Sequence, residues 1–219
     1  MRSKLQRFAE IQQRDNCIEI GKSIYDNIKG NWNKLQFKNS NPIAIELACG
    51  KGEYTVGLAR VLKDTNFIGI DLKGERIWVG SSQAMEEELT NVAFLRSHIL
   101  ELPKLFSSNE VNEIWLTFPD PRPKLRDEKR RLTHPRYLEM YKSILTPDGW
   151  FKFKTDNTAL FRYTLDVLAE RDDIAELEHT MNLYSSPLNA EHYGIQTRFE
   201  KKFNDAGENI KYLKFKFIH

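Results

Sequence analysis

The stretch that most constrains this chain is residues 43–52, an apolar run that breaks into two glycines. Ile43, Ala44, Ile45 and Leu47 make a short buried-strand signal interrupted only by Glu46. Gly50, Lys51 and Gly52 turn the chain, and residues 53–63 then carry Tyr54, Leu58, Val61 and Leu62 at helical spacing. Strand, glycine turn and helix form the unit with which an open α/β sheet holds a ligand at the carboxyl end of its first strand. Glycine suits such a turn because a Cβ would keep the backbone away from the ligand. A second strand over residues 66–72 carries Asp71, 21 residues after Gly50, where a carboxylate can accept from ribose hydroxyls. The segment reads as a nucleoside-binding half-sheet.

The dinucleotide fingerprint does not fit it. That pattern needs a third glycine three residues after Gly52, to let helix and strand pack closely, and Thr55 stands there. Glu46, an acid before the turn, would repel a pyrophosphate and accept from an ammonium group. Glu46, Gly50, Gly52 and Asp71 together resemble the cofactor loop of methyltransferases that use S-adenosyl-L-methionine, a ligand with a cationic amine and a ribose but no phosphate. Ala48 stands where the usual pattern of that loop has glycine.

At 219 residues, with 40% apolar and 29% charged residues, the chain suits one globular domain with a substantial core. No apolar run approaches the ~18 residues of a membrane span. The first ten residues lack the apolar centre of a secretion signal. Cys17 and Cys49 are the only cysteines, too few for a disulfide framework and in keeping with a reducing, cytoplasmic setting. The histidines at 98, 134, 179, 192 and 219 have no ligand spacing, so no metal is expected. A net charge of +2 says little about partners, and its distribution matters more.

Residues 1–40 read as a basic extension ahead of the sheet, with Arg2, Lys4, Arg7 and Arg14 and a short helix signal in Leu5, Phe8 and Ile11. It is either an RNA-touching arm or a solvated segment tethered by a few apolar contacts. Residues 41–219 read as a single domain. After the second strand a helix runs to about Leu89, and a third strand over residues 91–97 ends at His98, a candidate neighbour of an adenine. A short helix precedes a fourth strand over residues 111–118. That strand runs into Pro119, Asp120 and Pro121, two prolines that stiffen the backbone around one acid at a strand's carboxyl end. Residues 122–136 follow with seven basic side chains against two acidic ones, a local charge of +5 beside that acid. Such a run meets a polyanion on entry and positions it without reading its sequence. A helix begins at about Pro135, a fifth strand at 150–155 delivers Asp156, and after a further helix residues 174–184 and 210–218 read as two more strands. The sum is an α/β, Rossmann-like, doubly wound and mostly parallel seven-stranded sheet with an antiparallel edge.

Taken together, the segments resemble one family, the bacterial tRNA (guanine-N7-)-methyltransferases. The match runs from Lys4 to Glu10 and through the cofactor loop to Phe118, Pro119, Asp120 and Pro121. It continues with Lys129, Arg130 and Arg131, with Lys154, Thr155 and Asp156, and with Thr197, Arg198, Phe199 and Glu200. The resemblance implies the class I methyltransferase fold and methyl transfer from S-adenosyl-L-methionine to N7 of the variable-loop guanine at tRNA position 46, by a monomer or homodimer. It implies that Glu46, Gly50, Gly52, Asp71, His98 and Asp120 contact the cofactor, with Asp120 at the reaction centre. Lys124, Asp156 and Thr197 through Glu200 would hold the substrate nucleotide, and Arg126, Lys129, Arg130 and Arg131 would follow the RNA backbone. His98 stands where an acid or amide is commoner, and Arg122 where many relatives carry tryptophan.

Three other readings compete. A nicotinamide oxidoreductase shares the strand–turn–helix and Asp71 but not the third glycine, and Glu46 and the basic run oppose it. A non-catalytic RNA-binding module would use the arginine run, yet the loop acids and glycines are intact. A methyltransferase acting on another RNA or on a small molecule is the nearest alternative, and the local charge disfavours a small neutral substrate.

Overall fold

The apolar run that opens the nucleoside-binding unit becomes β2 (Ile43–Leu47), buried at every position. In the computed structural model, which describes residues 2–219, it lies in the middle of an eight-stranded sheet. The other strands are β1 (Cys17–Glu19), β3 (Asn66–Asp71), β4 (Val92–Arg96), β5 (Val111–Thr117), β6 (Leu145–Thr155), β7 (Ile174–Thr180) and β8 (Lys211–Phe217). Their spatial order is β1-β4-β3-β2-β5-β6-β8-β7. Pairs from β1 through β6 are parallel, and β8 runs antiparallel between β6 and β7. The chain works outward from β2 to β3 and β4, then returns to lay β5 on the other side of β2. That reversal opens a crevice at the carboxyl ends of β2 and β5.

The helices α1 (Lys4–Gln13), α2 (Glu53–Val61), α3 (Gly74–Glu86), α4 (Leu102–Leu105), α5 (Pro135–Ile144), α6 (Thr158–Ala169) and α7 (Arg198–Asp205) complete the fold. Because side chains alternate across a strand, each strand feeds two cores. Ile45, Leu47, Ile114, Leu116, Phe151 and Phe153 pack on one face with Tyr141 of α5 and Phe161 of α6. Ala44, Phe67, Phe94 and Trp115 pack on the other with Tyr54 and Leu58 of α2 and Ile77 of α3.

Several expectations need correction. The sheet has eight strands instead of seven, because residues 17–19 pair with β4, Ile18 opposite Leu95, and Glu19 binds Arg96 at 2.8 Å. Three residues are too few to show a period, and only the partner strand makes them a strand. Within the first 40 residues, 17–19 thus join the edge of the sheet. Helix α1 lies against α3, with the guanidinium groups of Arg7 and Arg14 over the Trp78 ring at 4.8 and 5.0 Å. Trp78 Nε1 donates to Glu10 at 2.7 Å. Phe8 and Ile11 approach Gly74 closely, whereas Leu5, expected on the packing face, is 81% exposed. Strand β6 also starts earlier than Trp150: Leu145 pairs with Val111, and the register slips before Trp150 meets Glu113.

The missing third glycine has its counterpart elsewhere. A Cβ on Gly69 of β3 would come 2.9 Å from Thr55 Oγ1 and 2.8 Å from the Phe94 ring, so the small residue that permits close packing sits on the strand instead of the helix. Gly52 is doubly required, with φ at +72° and a Cβ position 2.5 Å from the Phe94 ring, whereas Gly50 (φ +58°) has open space around it. Gly52→Ala should therefore cost about 2–4 kcal/mol, left-handed strain plus a clash in a packed core. Gly50→Ala should cost only the strain, about 1–2 kcal/mol. Urea unfolding midpoints check the order, and equal losses would contradict it.

Candidate active site

The carboxyl ends of the central strands converge on a cleft of about 530 Å³. Ala48 follows β2, Asp71 ends β3, His98 follows β4 and Asp120 follows β5, and all four line it. Its outer wall is made by Arg122, Arg130 and Arg136 with Leu132 and Tyr137. Three non-glycine residues around it have positive φ, namely Ala48 (+54°), Phe118 (+48°) and Arg122 (+47°). Strain of this kind concentrates where the surrounding structure holds the chain in a functional shape. Among the described residues no group of three or more His, Cys, Asp or Glu is placed to hold a metal, and no helix is long and apolar enough to cross a membrane.

Asp71 holds the glycine turn as well as facing the cleft. One carboxylate oxygen accepts from Gly50 N at 3.0 Å and the other from Lys73 N at 2.8 Å. Each oxygen keeps a lone pair for a ribose hydroxyl. Glu46 lies beneath the loop, 4% exposed. Its Oε2 accepts from the Thr55 amide at 2.9 Å and from the Thr55 hydroxyl, and its Oε1 from the Thr117 hydroxyl at 2.6 Å. The carboxylate thus ties β2 to the start of α2 and to the end of β5. Burial raises its pKa from 4.5 to about 7, against the pull of the Thr117 and Thr55 hydrogen bonds.

Asp120 is exposed at the rim, and Pro119 beside it is buried. Its Oδ1 accepts from Arg122 N at 3.2 Å, and its Oδ2 pairs with Arg122 Nε at 3.2 Å. An exposed pair of this kind contributes only about 0–1 kcal/mol, so a better partner can take either member. His98 caps the short helical turn that follows β4, its Nδ1 accepting from Leu100 N at 3.2 Å, and it too is exposed. Lys124, Arg126, Lys129 and Arg130 all lie exposed on or next to the short helical segment Leu125–Arg130. Arg131 is turned inward, its Nε donating to Arg122 O at 3.2 Å and its guanidinium 4.3 Å from the Tyr163 ring.

The remaining expected residues lie outside the cleft lining. Asp156 ends the run from β6, half-buried, with burial raising its pKa. Its carbonyl accepts from Lys211 Nζ at 2.7 Å. Thr197 caps α7 in a reciprocal capping box with Glu200. Arg198 N donates to Glu53 at 2.9 Å, joining the start of α7 to the start of α2. Arg198 is exposed and Phe199 is 65% exposed. Glu200 is fully buried and committed to the protein: its Oε1 pairs with Lys154 Nζ at 2.7 Å and accepts from Tyr184 Oη at 2.7 Å, while its Oε2 accepts from Thr197 N at 3.3 Å. Lys154, itself fully buried, has its Nζ 4.8 Å from the centre of the Tyr54 ring.

Sequence reasoning missed Thr55, Thr117, Lys154 and Arg136. Thr55 was visible as the residue replacing the third glycine, Thr117 stands two residues before Pro119, and Arg136 was counted in the basic run. Nothing local marked Lys154 as buried, since it alternates with Lys152 like a solvent-facing residue.

Residues 40–213 match a family described as putative methyltransferase. The chain is 44% identical over 218 residues to a tRNA (guanine-N(7)-)-methyltransferase of Cytophaga hutchinsonii, covering 99% of this chain and 98% of that protein. It is 45% identical over 222 residues to the protein of the same name from Christiangramia forsetii, covering 98% of each. Among solved structures, the 16S rRNA methyltransferase KamB superposes with a TM-score of 0.63 at 15% identity, over 86% of this chain and 93% of that one. The aminoglycoside resistance methyltransferase NpmB1 superposes with a TM-score of 0.53 at 16% identity, over 84% and 90%. At these identities the likeness establishes the fold alone.

The two buried carboxylates generate opposite tests. Removing the charge of Glu200 strands Lys154 in the interior, so Glu200→Gln should destabilise the chain by about 3–5 kcal/mol, and the double change Lys154→Met with Glu200→Leu should recover most of it. Chemical unfolding reads both, and a Glu200→Gln variant of unchanged stability would contradict the pairing. Glu46 has a folded pKa of about 7 against an ordinary 4.5, so between these values the folded chain holds a proton that the unfolded chain has lost. Stability should therefore fall as pH rises from about 4.5 to about 7, by up to ~3 kcal/mol, and Glu46→Gln should flatten that slope. Unfolding midpoints at several pH values measure it.

Proposed function

The chain belongs to the tRNA (guanine-N(7)-)-methyltransferase family, and from that membership we propose that it transfers a methyl group from S-adenosyl-L-methionine to N7 of a guanine in tRNA, the one in the variable loop. The products are 7-methylguanosine and S-adenosylhomocysteine. The observation that carries the reading in the structure is that Asp71 and Asp120 line one cleft whose outer wall is arginine. A nucleoside-type acid, a rigidly held second acid and a cationic rim suit a nucleoside cofactor and a polyanionic substrate meeting at one place.

The residues fit the cofactor. When bound, its sulfonium supplies an electrophilic methyl group. Asp71 has lone pairs left for ribose hydroxyls, His98 stands at the rim beside the adenine side, and the left-handed turn through Ala48, Gly50 and Gly52 lets the backbone approach. Glu46 supports that turn from below, through its hydrogen bonds from Thr55 and Thr117.

Guanine N7 already carries an in-plane lone pair, so no base has to remove a proton. The protein's task is placement and exclusion of water. Methylation leaves a cationic purine, and Asp120 at the end of β5 lowers the energy of that developing charge. Lys124 and Asp156 flank the substrate nucleotide. The start of α7 contributes through its exposed residues Arg198 and Phe199, with Thr197 and Glu200 fixing the helix that presents them. The exposed Arg126, Lys129 and Arg130 follow the RNA backbone, whose affinity they set without reading bases. Arg131, expected to join them, is turned inward and braces their loop through Arg122 O and the Tyr163 ring.

The test incubates purified protein with unmodified bulk tRNA and methyl-labelled S-adenosyl-L-methionine, then resolves the digested nucleosides. Label should appear in 7-methylguanosine. Label in another nucleoside, or none, overturns the reading. Asp120→Asn should keep cofactor binding by calorimetry and lose about 10²–10³-fold in turnover. Normal turnover by that variant removes Asp120 from the mechanism.

A further inference from the structure

The arginine wall of the cleft has no counterpart in the cofactor, which carries no phosphate. Arg122, Arg130 and Arg136 nevertheless line the same cavity as Asp71 and His98. Arg122 and Arg130 come from the loop after β5, whereas Arg136 belongs to the first turn of α5, so two separate elements aim guanidinium groups at one place. Arg136 lies exposed, donates to Tyr137 Oη at 2.9 Å, and sits 4.6 Å from the centre of that ring. It has no carboxylate partner among the described residues. The contact with a buried tyrosine engages one Nη and leaves the other guanidinium nitrogens without a protein partner among the described residues. The Arg122 guanidinium pairs, among the described residues, only with the exposed carboxylate of Asp120 at 3.2 Å.

We infer that Arg136 and Arg122 form a phosphate clamp for the nucleotide being methylated, a positioning site inside the cleft and distinct from the outer basic run that follows the RNA backbone. The inference rests on the function proposed above and adds to it. A guanine that enters the cleft to reach Asp120 must bring its own sugar-phosphate with it. Arg122 and Arg136 line the same cleft as Asp120, so a phosphate carried in with that base passes the arginine wall. Arginine suits the task because its fork binds phosphate oxygens in pairs. The clamp also explains the Asp120–Arg122 pair. When phosphate takes the Arg122 guanidinium, Asp120 is released toward the base, so the carboxylate becomes free only when the substrate is seated.

The test compares the wild-type protein with Arg136→Gln, Arg136→Lys and the double variant Arg122→Gln with Arg136→Gln. Measurements are kcat and KM for tRNA, calorimetric affinity for S-adenosyl-L-methionine, and the salt dependence of tRNA affinity by filter binding. Arg136→Gln should raise KM about tenfold and leave cofactor affinity unchanged. Its plot of log affinity against log salt should flatten by about 0.7–0.9, the signature of one lost phosphate contact. Arg136→Lys keeps the charge and should restore the salt slope while recovering only part of the KM. The double variant should flatten the slope by about twice as much. An Arg136→Gln variant with unchanged KM and salt slope overturns the clamp, as does one that loses cofactor affinity with the slope intact, since that would be a structural role. A wild-type protein that binds tRNA and labels no 7-methylguanosine defeats the function reading instead, and the binding slopes still decide the clamp.

Discussion

The buried carboxylate of Glu46 is the contact on which the site depends. It sits at the reversal point of the sheet and accepts from Thr55 at the start of α2 and from Thr117 near the end of β5. One side chain thereby joins the strand that opens the glycine turn, the helix that closes it and the strand that delivers Asp120. Taking a carboxylate out of water is costly, and hydrogen bonds from two residues offset that cost only in part, as its raised pKa records. Such a group holds only while all its donors are in place. The cofactor turn and the Pro119–Asp120–Pro121 corner are therefore built as one unit.

A second buried charge organises the other side. Lys154 on β6 and Glu200 on α7 pair at 2.7 Å in the interior, with Tyr184 and Thr197 completing the carboxylate's hydrogen bonds. A buried pair is weak support for stability on its own, but it fixes which way an element sits. Helix α7 is short, and the pair adds a buried anchor to the packing of Phe203 and the Arg198 N–Glu53 hydrogen bond. Arg198 and Phe199 at its start are exposed. Both buried carboxylates lie in motifs that also suggest ligand contact, and both act first on the protein itself.

The charge pattern follows the same division between interior and rim. A chain of net +2 concentrates its basic residues in 122–136, on a loop and a first helical turn around one cleft. Bulk charge would not have suggested a polyanion. The local placement does, because Arg122, Arg130 and Arg136 line the cleft that holds the acid at the end of β5.

Much of this protein was legible from residue order. The apolar run at 43–47, the two glycines and Asp71 defined the nucleoside-binding unit, and the proline-bracketed Asp120 marked the crevice, because local sterics and strand periodicity act within a few residues. The resemblance alone pointed to Lys124, Asp156 and the 197–200 run, none of which lines the cleft. What the sequence could not show were contacts between residues distant along the chain. Residues 17–19 become a strand only because β4 offers them an edge. Lys154 alternates like a surface lysine and is buried because Glu200, 46 positions later in the chain, comes to meet it. Glu46 announced a ligand amine by its type, and tertiary packing surrounded it with Thr55 and Thr117. Sequence determined which chemistry each strand end carries. Only the folded chain decided which of those groups remain free, because burial and partner geometry depend on neighbours that are not adjacent in the chain.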